Sequence, residues 1–130
     1  MRYYLLIFLL SLNAFSQDYG HILDGKIKVI AQNKTFKEQK ESVQLLQSEI
    51  TKIKTHSKLS DRDFYILTDF SKTLDSISLI KDRSADSCFN TKVEIMSNFG
   101  NRSTSMSEKD LPDGVKKGLL LLKLLCSKKK

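Results

Sequence analysis

The chain has 130 residues, with 22 Lys plus Arg against 15 Asp plus Glu, two Cys, one Pro and no Trp. That length supports one domain rather than two, and 40% apolar with 28% charged residues excludes wholesale disorder. The net charge of +7 invites nucleic acid as a partner. However, most lysines are interleaved with acids along amphipathic stretches, and no recognition helix, zinc finger or aromatic RNA-binding signature is present. No nucleic-acid partner is therefore expected.

Residues 1–16 have the layout of a secretory signal peptide. Met1 and Arg2 make a basic start, Tyr3 to Leu12 form an apolar run, and Ala14-Phe15-Ser16 puts small residues at the −3 and −1 positions of a cleavage site before Gln17. An uncleaved anchor is the competing account, but the run falls short of the roughly 20 apolar residues that a span takes. Residues 17–130 are then expected to form a single helical domain, secreted or periplasmic. In an oxidising compartment the two cysteines, Cys88 and Cys126, are expected to pair. The bridge would close a loop of about 39 residues, worth roughly 3–4 kcal/mol in the chain-entropy model.

From residue 18 to 32, Ile22, Leu23, Ile27 and Ile30 suit one helical face, although Gly20 and Gly25 weaken it and Ile27 and Val29 alternate with lysines as in an edge strand. Thr35 to about Thr55 is clearer. Phe36, Val43, Leu46, Ile50 and Ile53 fall at the spacings of a helical seam, with charged residues on the faces between. After a break at His56 to Leu59, Ser60 is placed as an N-cap, with Asp61 and Asp63 in the first turn. Phe64, Leu67, Phe70, Leu74 and Ile77 continue the 3/4 alternation, reinforced by Ile66 and Ile80. Two such helices joined by so few residues predict an antiparallel hairpin over 35–81, whose facing seams supply most of the core.

Cys88 to Phe99 reads as a further helix with Gly100 as its cap, and a strand competes because Val93 and Ile95 alternate with charged residues. Asn101 to Glu108 is polar and reads as an exposed connection. The last helix is expected to begin near Asp110 as cap, with Pro112 in its first turn. Val115, Leu119, Leu122 and Cys126 share one stripe, yet six leucines in seven residues make the helix apolar nearly all round. Such a helix is either the buried centre of a bundle or an element lying on an anionic membrane surface, and burial is preferred because the bridge from Cys126 favours it.

Catalytic chemistry is not indicated. His21 and His56 are isolated in sequence and the cysteines are far apart, so no metal site or cofactor is expected. No serine sits in a nucleophile elbow, the five glycines are scattered singly, and the acidic pairs Asp61/Asp63 and Asp110/Asp113 are explained by capping. Asn33 and Asn101 begin N-glycosylation sequons, of which Asn101 is the better placed acceptor.

The composite expectation is an all-α, exported small helical bundle built on a helical hairpin with one disulfide. It is expected to be no enzyme and to act by protein–protein binding, as inhibitor or immunity-type proteins and envelope accessory proteins do. The candidate interaction surface joins His56 and Lys58 in the hairpin turn to Asn101, Arg102, Ser105 and Glu108 in the polar connection, since loops on a rigid scaffold carry binding residues. The alternative is lipid or membrane-surface binding through the C-terminal helix, with Leu121, Leu124, Lys128, Lys129 and Lys130 as contacts.

Overall fold

Most of the helices start where a side chain takes over an amide that the helix itself leaves without a partner. In the computed structural model, which describes residues 18–100 and 111–127, Asp18 caps α1 (Tyr19–Ala31) by accepting from the His21 amide at 3.2 Å. Thr35 and Glu38 form a reciprocal capping box on α2 (Phe36–His56). Ser60 caps α3 (Asp61–Ile77), as its sequence context predicts, by accepting from the Asp63 amide at 3.1 Å. Ser84 accepts from the Ser87 amide at the head of α4 (Ala85–Gly100). The neighbouring Asp82 accepts from Ser84, and those hydrogen bonds hold its carboxyl below the usual carboxylate range. Among the described helices, only α5 (Asp113–Cys126) begins without a side-chain cap. Its N-cap is Pro112, so the helix starts later than the expected Asp110 and Pro112 lies just outside it. A proline tolerates that position because it has no amide to satisfy.

All five helices among the described residues are α-helical, and the edge-strand and strand alternatives for residues 18–32 and 88–99 are not adopted. Cross-helix contacts give their directions. Lys40, Gln47 and Lys54 on α2 meet Ile80, Asp75 and Phe64 in turn, so α2 and α3 form the expected antiparallel hairpin. Lys26 on α1 and Asn33 just past its end meet Glu49 and Ser42 on α2, again antiparallel. Lys72 and Ser76 meet Phe99 and Glu94, which sets α4 antiparallel to α3. On α5, Gly114 lies against Ile66 to Phe70 and Gly118 against Thr73, so α5 runs parallel to α3 where they touch.

The hairpin seam is not the main interface. Helix α3 touches all four other helices, and its most extensive neighbour is α5 rather than α2. Leu67, Phe70, Leu74 and Ile77 on α3 are fully buried, as are Val115, Leu121 and Leu125 on α5. Contact here is unusually intimate. A methyl group at Gly114 would lie 2.5 Å from the Ile66 carbonyl oxygen and 2.8 Å from the Phe70 amide nitrogen, and one at Gly118 would overlap the Thr73 side chain. Two seam expectations change as a result. Phe64 is 42% exposed, with the Lys54 ammonium of α2 over its ring. Ile80 is buried but lies beyond the end of α3, in the turn that follows Ser78.

One buried polar group fixes how the two halves of the chain meet. Gln39 on α2 is 3% exposed, donates to the Ala31 and Asn33 carbonyls, and accepts from the Arg83 guanidinium at 2.8 Å. Arg83 also lies 5.4 Å from the centre of the Phe36 ring, within cation–π range. The α1–α2 turn and the α3–α4 turn are thereby tied to one side chain. Buried polar groups need such partners, since an unmet one costs about 1–3 kcal/mol.

The close approach of α5 also desolvates Asp69, next to Gly114 in space. Burial raises its carboxyl above the ordinary value, and Lys72 pulls in the opposite, smaller sense. A folded-state pKa above the unfolded one means that the native chain holds its proton to higher pH. Stability therefore falls as pH rises through the interval between the two values. Asp69→Asn is expected to raise the melting temperature at pH 7, and that gain should vanish as pH falls to about 3, below the ordinary Asp value, where the parent carboxyl is protonated in both states. Thermal melts of the two proteins at both pH values check this. An equal gain at both would assign the effect to something other than the charge.

Candidate functional site

Among the described residues, the exposed aromatic side chains Phe64, Tyr65 and Phe89 fall on two surfaces, each with basic side chains beside them. The first is the hairpin turn, where His56 closes α2 with its Nδ1 at 3.1 Å from the Lys52 carbonyl, and Lys58 stands exposed two residues on. Beside them, the Phe64 and Tyr65 rings meet edge to face at 5.8 Å, and the Lys54 ammonium lies 5.2 Å from the Phe64 ring centre. Asn101, Arg102, Ser105 and Glu108, expected on the same surface, lie outside the described residues, as does the Asn101 sequon. Only His56 and Lys58 of that set are brought together here.

The second surface is a groove of about 930 Å³ between α4 and α5. Its floor is Leu119, Leu122 and the Cys88–Cys126 disulfide, whose Cα atoms are 6.4 Å apart. That bridge joins the first turn of α4 to the last turn of α5 and fixes the spacing of the two walls at one end. Phe89, 65% exposed, stands on the α4 wall with Lys92, and Val93, 46% exposed, lies one turn further along that helix. Lys116, Leu120 and Lys123 stand on the α5 wall. None of the lining residues is acidic. Lys117, by contrast, turns away and pairs with Asp24 of α1 at 2.7 Å.

Of the candidate membrane contacts, Leu121 is 0% exposed and faces the core, and Leu124 is half-buried against it. Leu121 is therefore corrected to a core residue, because α5 lies in the angle between α3 and its neighbours and turns that face inward. The outward leucine is Leu120, 44% exposed. Lys128, Lys129 and Lys130 lie outside the described residues, together with residues 1–17.

The groove was missed by periodicity alone. A helix that is apolar all round does not say which leucine points outward until its neighbours are placed. A signal was nonetheless present, in the i,i+4 pair Phe89/Val93 and in Lys116 and Lys123, seven residues apart with Leu120 between them. Chemically, the groove offers apolar area to bury and positive charge to pair, and its two cysteines are already spent on the bridge. Among the described residues, no three His, Cys, Asp or Glu side chains converge as metal ligands would, and no helix is long and apolar enough to cross a membrane. Comparison of the chain with protein-family models, with curated proteins and with solved structures finds no match.

Proposed function

We propose that this is an exported helical bundle that acts by binding another protein, with the α4–α5 face as its binding surface. Export is supported by the basic start, apolar run and small residues of positions 1–16, and by a disulfide of the kind that persists in oxidising compartments. The observation that carries the binding role is the exposure of Phe89, Val93 and Leu120 together with Lys116 and Lys123 on two helices locked by a covalent bridge. Exposed aromatic and aliphatic side chains grouped on a rigid support are what interface centres are made of.

Site-specific photo-crosslinking in the native cell envelope and secreted fractions tests this. A crosslinker placed at Leu120 is expected to trap one dominant protein, whereas one at Leu45, exposed on α2, is expected to trap none. Equal labelling from both positions would sink the assignment of the face. Recovery of lipid alone from Leu120, fading as salt rises, would replace the protein partner by a membrane surface.

A further inference from the structure

The groove's charge pattern defines the chemistry of its occupant. Lys116 and Lys123 are separated by seven residues, which is two helical turns and about 10.5 Å along α5. Lys92 lies on the opposite wall. Positive charge is thus spread along the groove rather than gathered at one mouth. A ligand with negative charges spaced along its length can pair with Lys116 and Lys123 at once, each from its own turn. The complementary ligand carries several negative charges at intervals along its length, with apolar groups between them to meet Phe89, Val93 and Leu120.

The floor adds a second constraint. Leucines and a disulfide supply no hydrogen bonds, and the backbones of α4 and α5 are paired within their own helices. An extended peptide laid there would take backbone N–H and C=O groups out of water with nothing to meet them. A helix satisfies those groups internally and presents only side chains. A flat membrane surface fits less well, because it would rest on the walls and leave the recessed Leu119 and Leu122 untouched.

We infer that the groove receives an acidic amphipathic helix of a partner protein, about three turns long, with apolar residues spaced i,i+3/i+4 and carboxylates seven residues apart. This rests on the α4–α5 face being the binding surface, and it names what that surface takes.

Three synthetic 18-residue helical peptides, alike in their apolar stripe but flanked by Glu, Gln or Lys, provide the probe. They are titrated by fluorescence anisotropy against the purified, disulfide-bonded protein at low ionic strength. The Glu peptide is expected to bind about tenfold more tightly than the Gln peptide, through its two exposed ion pairs. The Lys peptide is expected not to bind. In the double variant Lys116→Glu/Lys123→Glu the ranking should invert, with an unchanged thermal melt to show that the fold is kept. Leu120→Gln should weaken the Glu peptide in the parent protein.

Equal affinity for Glu and Gln peptides overturns the inference, and so does a ranking that survives the charge reversal. Failure of all three peptides, with binding to phosphatidylglycerol vesicles that Lys116→Glu/Lys123→Glu abolishes, overturns it in favour of a lipid surface. A protein crosslinked from Leu120 that the Glu peptide does not displace would remove the acidic helix and leave the broader protein-binding role standing.

Discussion

Reducing the Cys88–Cys126 bridge is expected to lower the unfolding free energy by roughly 3–4 kcal/mol, a large part of the about 5–15 kcal/mol typical of a domain. The value follows from the separation of 38 residues that the bridge closes, through the conformational freedom regained by the unfolded chain. Position matters as well as length. The bridge ties the last turn of α5 to the first turn of α4, and without it α5 is held by non-covalent packing on α1, α3 and α4 alone. A fall in melting temperature of about 10–20 °C is expected on reduction, or in the double variant Cys88→Ala/Cys126→Ala. The groove lies against the same bridge, so the reduced protein should also lose its crosslink from Leu120. Calorimetry of oxidised and reduced samples decides the first point, and an unchanged melt would show that the bridge adds no restraint.

Gly114→Ala is expected to cost about 3 kcal/mol, at the upper end of the usual penalty for overfilling a packed site. The added methyl group would press on the Ile66 carbonyl and the Phe70 amide. Those are main-chain atoms of a buried helix, which cannot swing aside as a side chain can. Gly118→Ala is expected to cost about 2 kcal/mol, but for a different reason, since its methyl group meets the Thr73 side chain. That difference yields a sharper test. Combining Gly118→Ala with Thr73→Gly moves the gap from one helix to the other, and the pair should be less destabilised than the sum of its single variants. No change on α3 should rescue Gly114→Ala in this way. Urea unfolding of the four single and double variants measures the coupling, and additive costs at 73 and 118 would mean that the two residues do not touch.

What could be read from the sequence follows physical range. The α2 and α3 helices were legible because a 3/4 spacing of Val43, Leu46 and Ile50, then Leu67, Phe70, Leu74 and Ile77, is a local signal. The same holds for Ser60 as a cap, and the cysteine pair followed from counting two in a chain read as exported. What failed depended on neighbours. Phe64 is apolar at a plausible seam position yet stands exposed, and only the placed helices decide between the buried and membrane-facing readings of Leu121, which faces the core. Gly114 and Gly118 were read as scattered glycines, although a spacing of four puts them on one face of a helix. Their role became visible only with α3 lying against that face. For the candidate site, the lysines and leucines of α5 were singled out, but the residues facing outward are Leu120, Lys116 and Lys123 rather than Leu121.

The order of the helices along the chain has a further consequence, which concerns time rather than energy. The principal neighbour of α3 is α5, the last of the described helices to be synthesised. Until α5 emerges, the flank of α3 formed by Ile66, Phe70 and Thr73 has no cover, so the first four helices lack the surface against which the centre of the bundle closes. Domains generally fold as units, and this one can complete its unit only once α5 has been synthesised.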